Sequence, residues 1–248
     1  MATEENQVPA RVVLAASCLG DAVAALDLAA PLAHHLRREL VGLLIEEEAV
    51  HFHASMPFAR TVAVPGQERK EITAEKMRHA FDRDAREFQN LLRRLGEKEN
   101  LRWSFRTVRQ KIRFGSDGET STEDFVILGG QVSHSHRTAV LAVFGSHPDQ
   151  GLANLAAKVA HDTERPLVAF VAENGTSDKS FTPHFPPTIP VKILTYQDGQ
   201  DLIRLIGRTG SAALLISTEC REACDLDRLV EAARCPVLVA AAYGNGNS

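Results

Sequence analysis

Val13–Glu46 reads VLAASCLGDAVAALDLAAPLAHHLRRELVGLLIE, and Val140–Glu173 reads VLAVFGSHPDQGLANLAAKVAHDTERPLVAFVAE. Laid on each other at a constant offset and without a gap, they share about a dozen identical positions. Val13-Leu14-Ala15 falls on Val140-Leu141-Ala142, Leu28-Ala29-Ala30 on Leu155-Ala156-Ala157, and Ala33-His34 on Ala160-His161. Arg38 falls on Arg165, Leu40-Val41 on Leu167-Val168, and Glu46 on Glu173. An alanine-rich composition raises chance identity, but the physical pattern repeats as well as the letters. Each copy is an apolar β-branched run, a polar turn, an amphipathic helix and a second apolar run. That order is a βαβ unit, with parallel strands and a right-handed crossover.

Outward from these two stretches the same alternation continues. Arg11–Ala16 is apolar without interruption, which suits a strand covered on both faces. Asp21–Arg38 predicts a helix with Leu26, Leu28, Ala29, Leu32, Ala33 and Leu36 on one side, followed by a strand over Leu40–Ile45. Glu71–Leu95 predicts a long charged helix whose inner face carries Met77, Phe81, Phe88, Leu91, Leu92 and Leu95, with Gly96 expected to end it. Leu101–Val108 alternates like a half-buried or edge strand. Phe125–Leu128 is a short buried strand, and Gly129-Gly130 follows it. Beyond it come strands at Ala139–Phe144 and Leu167–Ala172 flanking a helix at Gly151–Asp162. A Pro/Ser/Thr-rich loop over Asn174–Pro190 leads to a strand at Val191–Tyr196. A short helix from Asp201 to about Gly207, a strand Ala212–Ile216, a helix Asp225–Ala233 and a last strand Val237–Ala241 close the chain. The expected fold is α/β, two tandem doubly wound parallel-sheet units of Rossmann-like type. The units span 11–132 and 137–243. The first has no room for a closing helix and strand after Leu128, and the second lacks the long helix.

Composition narrows the classes of function. The chain has 248 residues and a net charge of −4. Both signs are interspersed, so it lacks the basic footprint of a nucleic-acid or anionic-membrane binder. No apolar run approaches the ~20 residues that span a bilayer. Met1–Ala10 is polar, with no apolar signal-peptide core, so cytoplasm is the expected compartment. Cys18, Cys220, Cys224 and Cys235 are too few and too unevenly placed for a disulfide framework, and reduced thiols are expected.

The ending Arg234-Cys235-Pro236-Val237-Leu238-Val239, after the Ala212–Ile216 strand and a helix, resembles the close of universal stress protein domains. The opening Arg11-Val12-Val13-Leu14-Ala15 with its Ala/Leu-rich helix, and the strand ending in Val41–Glu47, are similar to that family too. The resemblance runs over both units, roughly Arg11 to Ala242. It implies an adenine nucleotide alpha hydrolase-like fold, with an ATP-binding and a non-binding subclass. Binders carry an Asp at the end of the first strand and a glycine-rich Gly-x-x-Gly motif with Gly-Ser/Thr after the fourth. Here Ala16-Ser17 and Phe144-Gly145 stand at the first place. Gly129-Gly130-Gln131 and Ser217-Thr218-Glu219 stand at the second, and Glu219 would repel a phosphate. No cofactor is therefore expected, ATP or AMP being the nucleotide such a fold would otherwise take. The default ligand site is the crevice at the strand carboxyl ends. Ala16, Ser17, Gly129, Gly130 and Gln131 would line it in the first unit, and Gly145, Ser146, Ser217 and Thr218 in the second.

Other constellations carry less. His51-x-His53 and His134-x-His136, with His147 and His184 as further ligands, would be zinc candidates on a strand. No carboxylate or cysteine stands at a ligand spacing beside them, and no metal is expected. Cys220-x-x-x-Cys224 has the wrong spacing for a redox motif and reads as small buried residues at a helix start. His34 and His161 occupy equivalent positions near helix carboxyl ends, where a cation suits the dipole. Met56, Phe58 and Arg60, in a segment preceded by Glu46-Glu47-Glu48, read equally as a partner-binding lip or as a loop folded over the crevice. No Gly-x-Ser-x-Gly elbow, Walker loop or His-Glu-x-x-His is present.

The leading expectation is a non-catalytic regulatory or stress-response protein of universal-stress type. It would act by partner binding or self-association, as a homo-oligomer joined through an apolar C-terminal edge strand, Val237–Ala241. That edge would be covered by a second chain or by the truncated first unit. The alternative expectation is a module that binds a nucleotide or small metabolite in the crevice. A third is an enzyme of the broader adenine-nucleotide hydrolase-like group.

Overall fold

The computed structural model describes residues 10–46, 73–109, 120–121, 124–130, 138–145, 149–173, 185–187 and 189–240. Its elements, in chain order, are β1 (Val12–Ala16), α1 (Leu19–Leu36), β2 (Leu40–Ile45), α2 (Ala74–Glu99), β3 (Trp103–Val108) and β4 (Phe125–Leu128). There follow β5 (Ala139–Phe144), α3 (Gln150–Asp162), β6 (Leu167–Ala172), β7 (Val191–Tyr196), α4 (Gly199–Arg208), β8 (Ser211–Ile216), α5 (Thr218–Ala223), α6 (Leu226–Ala233) and β9 (Val237–Val239). Both stretches of the internal alignment form a parallel βαβ unit, β1-α1-β2 and β5-α3-β6.

All nine strands belong to one sheet, in the order β3-β2-β1-β4-β9-β8-β5-β6-β7. Every neighbouring pair is parallel except β4–β9, where Ile127 faces Leu238 in antiparallel register. This corrects the expectation of an open C-terminal edge. β9 lies inside the sheet, hydrogen-bonded to β8 on one side and β4 on the other. The physical reason lies in the strand itself. Val237, Leu238 and Val239 are all buried, so both faces are covered and both ladders are filled. The truncated first unit supplies the cover that a second chain would otherwise provide. Joining protomers through this strand is therefore excluded, and the outer strands of the sheet are β3 and β7.

Helices pack on both faces. Val12, Leu14, Ala16, Val140, Ala142 and Phe144 face α1, α2 and α3, while alternate residues such as Val13, Leu141 and Val143 face the α4 and α6 side. Gly96 does not end the long helix. α2 runs on to Glu99 and is closed by Asn100, which takes the left-handed conformation at φ 50° and donates its N–H to Gly96 O. Gly96 answers a different need: a Cβ there would collide with the Trp103 ring, so its absence lets the start of β3 tuck under the helix. His34 and His161 both fall in the last turns of their helices, α1 and α3. Among the described residues, no helix is long and apolar enough to cross a membrane.

Candidate functional site

Strand order decides where ligand crevices belong. It reverses between β1 and β4 in the first half and between β5 and β8 in the second. Open α/β sheets bind ligands beyond the strand carboxyl ends at such switch points. Because β4 and β9 run antiparallel, the two crevices open on opposite margins of the sheet. Ala16, Ser17, Gly129 and Gly130 gather at one margin, Gly145, Ser217 and Thr218 at the other. Gln131, Ser146, Met56, Phe58 and Arg60 lie outside the described residues, as do both His-x-His pairs, His147, His184 and the Thr218 side chain. Among the described residues no group of His, Cys, Asp or Glu is arranged to hold a metal ion.

At the first crevice, Gly129 donates its N–H to Ala15 O at 2.7 Å and so sits beside the end of β1. A Cβ on Gly129 would stand 3.0 Å from Asp21 O and 3.1 Å from Asp21 Cβ, and one on Gly130 would stand 3.1 Å from Cys235 O. These two glycines bring the first turn of α1 and the approach to β9 against the end of β4. The amino end of α1 carries unpaired N–H groups and the positive end of the dipole, which favours a phosphate. Its N-cap, Cys18, makes no capping side-chain hydrogen bond, although its sulfur faces the Gly20 and Asp21 N–H groups. The acceptor comes from α2 instead: Leu19 N–H donates to Asp84 Oδ2 at 3.2 Å. A carboxylate of the chain thus meets the first N–H of α1.

The second crevice also has a carboxylate of the chain beside it. A Cβ on Gly145 would lie 2.5 Å from Glu219 Oε2, so the Glu219 carboxylate rests directly on the glycine that ends β5. The amino end of α3 is capped by Asp149, whose Oδ1 accepts from Leu152 N–H at 2.8 Å. Ser217 is buried and caps α5 by accepting from Cys220 N–H at 3.2 Å. Tyr196 Oη donates to Phe144 O at 3.0 Å, and Cys220 Sγ donates to Val143 O at 3.7 Å. The polar groups beneath the crevice are therefore spent on the last carbonyls of β5. Burial, reinforced by the neighbouring Cys220, pushes the Tyr196 phenol far above its usual range. Burial likewise raises the Cys220 and Cys224 thiols, so both stay protonated and unreactive at neutral pH. Each crevice thus has a carboxylate of the chain beside it, Asp84 being also paired with Arg83 at 3.5 Å.

Glu219 is legible in the sequence as the acid following the fourth strand of the second unit. Asp84 carries a weaker signal. It follows Phe81 by three residues and precedes Phe88 by four, so it is a carboxylate on the apolar stripe of a helix. Tyr196 and Cys220 carry no local signal, because their partners lie on β5, far away in sequence.

Fold and site together define a doubly wound α/β protein with an unbroken sheet and a carboxylate of the chain beside each strand-end crevice. The sequence matches no family model and no curated protein. Solved structures do match along nearly the whole chain. One is the cytoplasmic domain of a prokaryotic cation chloride cotransporter, at 12% identity and TM-score 0.44, covering 95% of this chain and 98% of that one. A second is a universal stress protein from Archaeoglobus fulgidus DSM 4304, at 12% identity and TM-score 0.44, covering 92% and 95%. A third is a protein from Pseudomonas aeruginosa UCBPP-PA14 described as a putative universal stress protein, at 13% identity and TM-score 0.44, covering 94% and 93%. At these identities and scores the likenesses assign neither an activity nor a ligand to this chain, and the fold rests on the strand order itself.

Proposed function

We propose that the chain is a duplicated, non-catalytic regulatory module of universal-stress type that binds no nucleotide and acts by contact with a protein partner. The observation that supports this reading is the pair of carboxylates, Asp84 accepting from Leu19 N–H at the amino end of α1 and Glu219 against Gly145. A carboxylate and a phosphate a few ångströms apart repel each other, less strongly where a cation such as Arg83 stands beside the carboxylate. The absence of Gly-x-x-Gly motifs after β4 and β8 supports the same reading. The segment with Met56, Phe58 and Arg60 is the sequence's own candidate for the partner lip. Self-association through β9 has no place in this function, because that strand is already paired twice.

Thermal melting of the full chain with ATP, ADP or AMP tests the proposal. A ligand present at 100 times its Kd adds about 2.7 kcal/mol of stability, or ~5–10 °C for a chain of this size. The expected result is a midpoint that stays within 1 °C (roughly the resolving power of a melt) at millimolar nucleotide. Native mass spectra of freshly purified protein should show the bare chain mass. A retained adenine nucleotide, or a shift of several degrees, would establish the crevice as a binding site instead.

A further inference from the structure

A second concavity lies away from both strand ends, on the outer surface of the helical layer formed by α1, α2 and α3. Its main lobe, about 680 Å³, lies between α1, α2 and the carboxyl end of α3. Its floor is apolar: Leu26 and Ala30 of α1, Leu91 and Leu95 of α2. A narrow lobe of about 80 Å³ continues between α1 and α3, walled by Leu28, Leu32, Leu155 and Val159. Pro31, His35, Asp27, Lys158 and Asp162 border both lobes, so the two adjoin across α1 at Pro31.

The charges on its rim are not equivalent. Lys98 pairs with Glu99 at 3.2 Å and Lys158 with Asp162 at 3.1 Å, so these cations are already neutralised. Partial burial opposes it, but the bonds to Lys158 and His161 lower the Asp162 carboxyl below its usual range. Arg94 differs. Its Nε donates to Asn90 O at 3.3 Å, which steadies the guanidinium along α2, and no carboxylate meets it among the described residues. The Nη donors of Arg94 are therefore available at the mouth of the main lobe, above Leu91 and Leu95. Asp27, the acid without an ion-pair partner among the described residues, borders the far lobe as well, on the α3 side of Pro31.

We propose that this groove binds an extended amphiphile, an unbranched aliphatic chain headed by a carboxylate. The head would take the Arg94 fork, whose two parallel N–H donors match a carboxylate. The tail would lie on Leu26, Ala30, Leu91 and Leu95 and cross Pro31 into the narrow lobe. Crossing α1, about 10–12 Å wide with its side chains, calls for a chain of roughly ten carbons. The narrow lobe excludes a partner helix, which needs the same ~10–12 Å of width throughout. The site is independent of the crevices and would make the module responsive to a lipid-like metabolite.

Isothermal titration of the full chain with sodium decanoate tests this, with native mass spectrometry for stoichiometry. One decanoate per chain is expected. Arg94→Gln should weaken binding at least tenfold. Arg93→Gln, one residue earlier and paired with Glu97 rather than lining the groove, should stay within twofold. Decanol, without the charge, and hexanoate, four methylenes shorter, should each bind at least tenfold more weakly to the unmodified protein. No heat or complex at millimolar decanoate would overturn the proposal. So would decanoate binding that Arg94→Gln leaves unchanged, or equal affinity for decanol.

Discussion

Asp124→Ala is expected to destabilise the chain by about 3–5 kcal/mol, the usual loss when one partner is removed from a buried ion pair. The Asp124 side chain is 1% exposed and pairs with Arg11 Nη2 at 2.7 Å. The same carboxylate accepts the main-chain N–H groups of Arg11 and Ser121, each at 2.8 Å. Its hydrogen bond to Arg11 is the main reason the guanidinium holds its proton more tightly than usual. Truncation would leave a half-buried cation and two main-chain donors without acceptors, at the point where β1 and β4 begin side by side. Phe125 N–H also donates to Arg11 O at 2.8 Å there, so the register of the whole first half starts from this contact. Asp124→Asn should lose less, because it keeps an acceptor. Arg11→Met combined with Asp124→Leu should recover much of the loss, since two matched apolar groups bury no charge. Urea unfolding of the four proteins checks the ranking. Equal stability of Asp124→Ala and the unmodified chain would contradict it.

Phe144→Ala is expected to cost about 3–5 kcal/mol, lowering the melting midpoint by ~2–4 °C for each kcal/mol. Phe144 is fully buried at the end of β5, and its ring stands edge-on to Phe185 with centroids 6.1 Å apart. The pair matters because, among the described residues, the second unit has no counterpart of α2 on this face, and Phe185 packs against the sheet there. Removing the ring leaves a cavity beside the second crevice, while the Tyr196 hydrogen bond to Phe144 O, a main-chain contact, survives. A loss below about 1 kcal/mol would mean that Phe144 is not packed as described.

Much of this architecture is legible in the sequence. The uninterrupted apolar runs of β1, β5 and β6 announce strands covered on both faces, and the spacing of Phe81, Phe88, Leu92 and Leu95 announces the inner face of α2. Three features are not legible in the same way. α5 spans Thr218–Ala223, too short to show a helical period. The end of α2 is set by Asn100, because the Trp103 ring needs the space at Gly96 and the helix passes through it. The β4–β9 pairing joins residues more than a hundred positions apart, and Val237-Leu238-Val239 reads from the sequence as an apolar edge strand. The crevices divide similarly. Glu219 follows its strand directly and can be read as a repelling charge, whereas Asp84 reaches the α1 terminus only through the docking of a helix 65 positions away.

The antiparallel seam between β4 and β9 decides how the two halves of the sheet join. It fuses the sheet, withdraws β9 from intermolecular pairing and sends the two crevices to opposite margins. Leu128 and Val237 face each other across it, at the separation of a directly opposed antiparallel pair, which a disulfide can bridge. The deciding measurement is oxidation of the Leu128→Cys, Val237→Cys double variant, followed by peptide mapping under denaturing conditions. The account predicts a link between these two positions within a protein of monomer mass. Cross-linked dimers joined at these positions, or two thiols that never link, would contradict it.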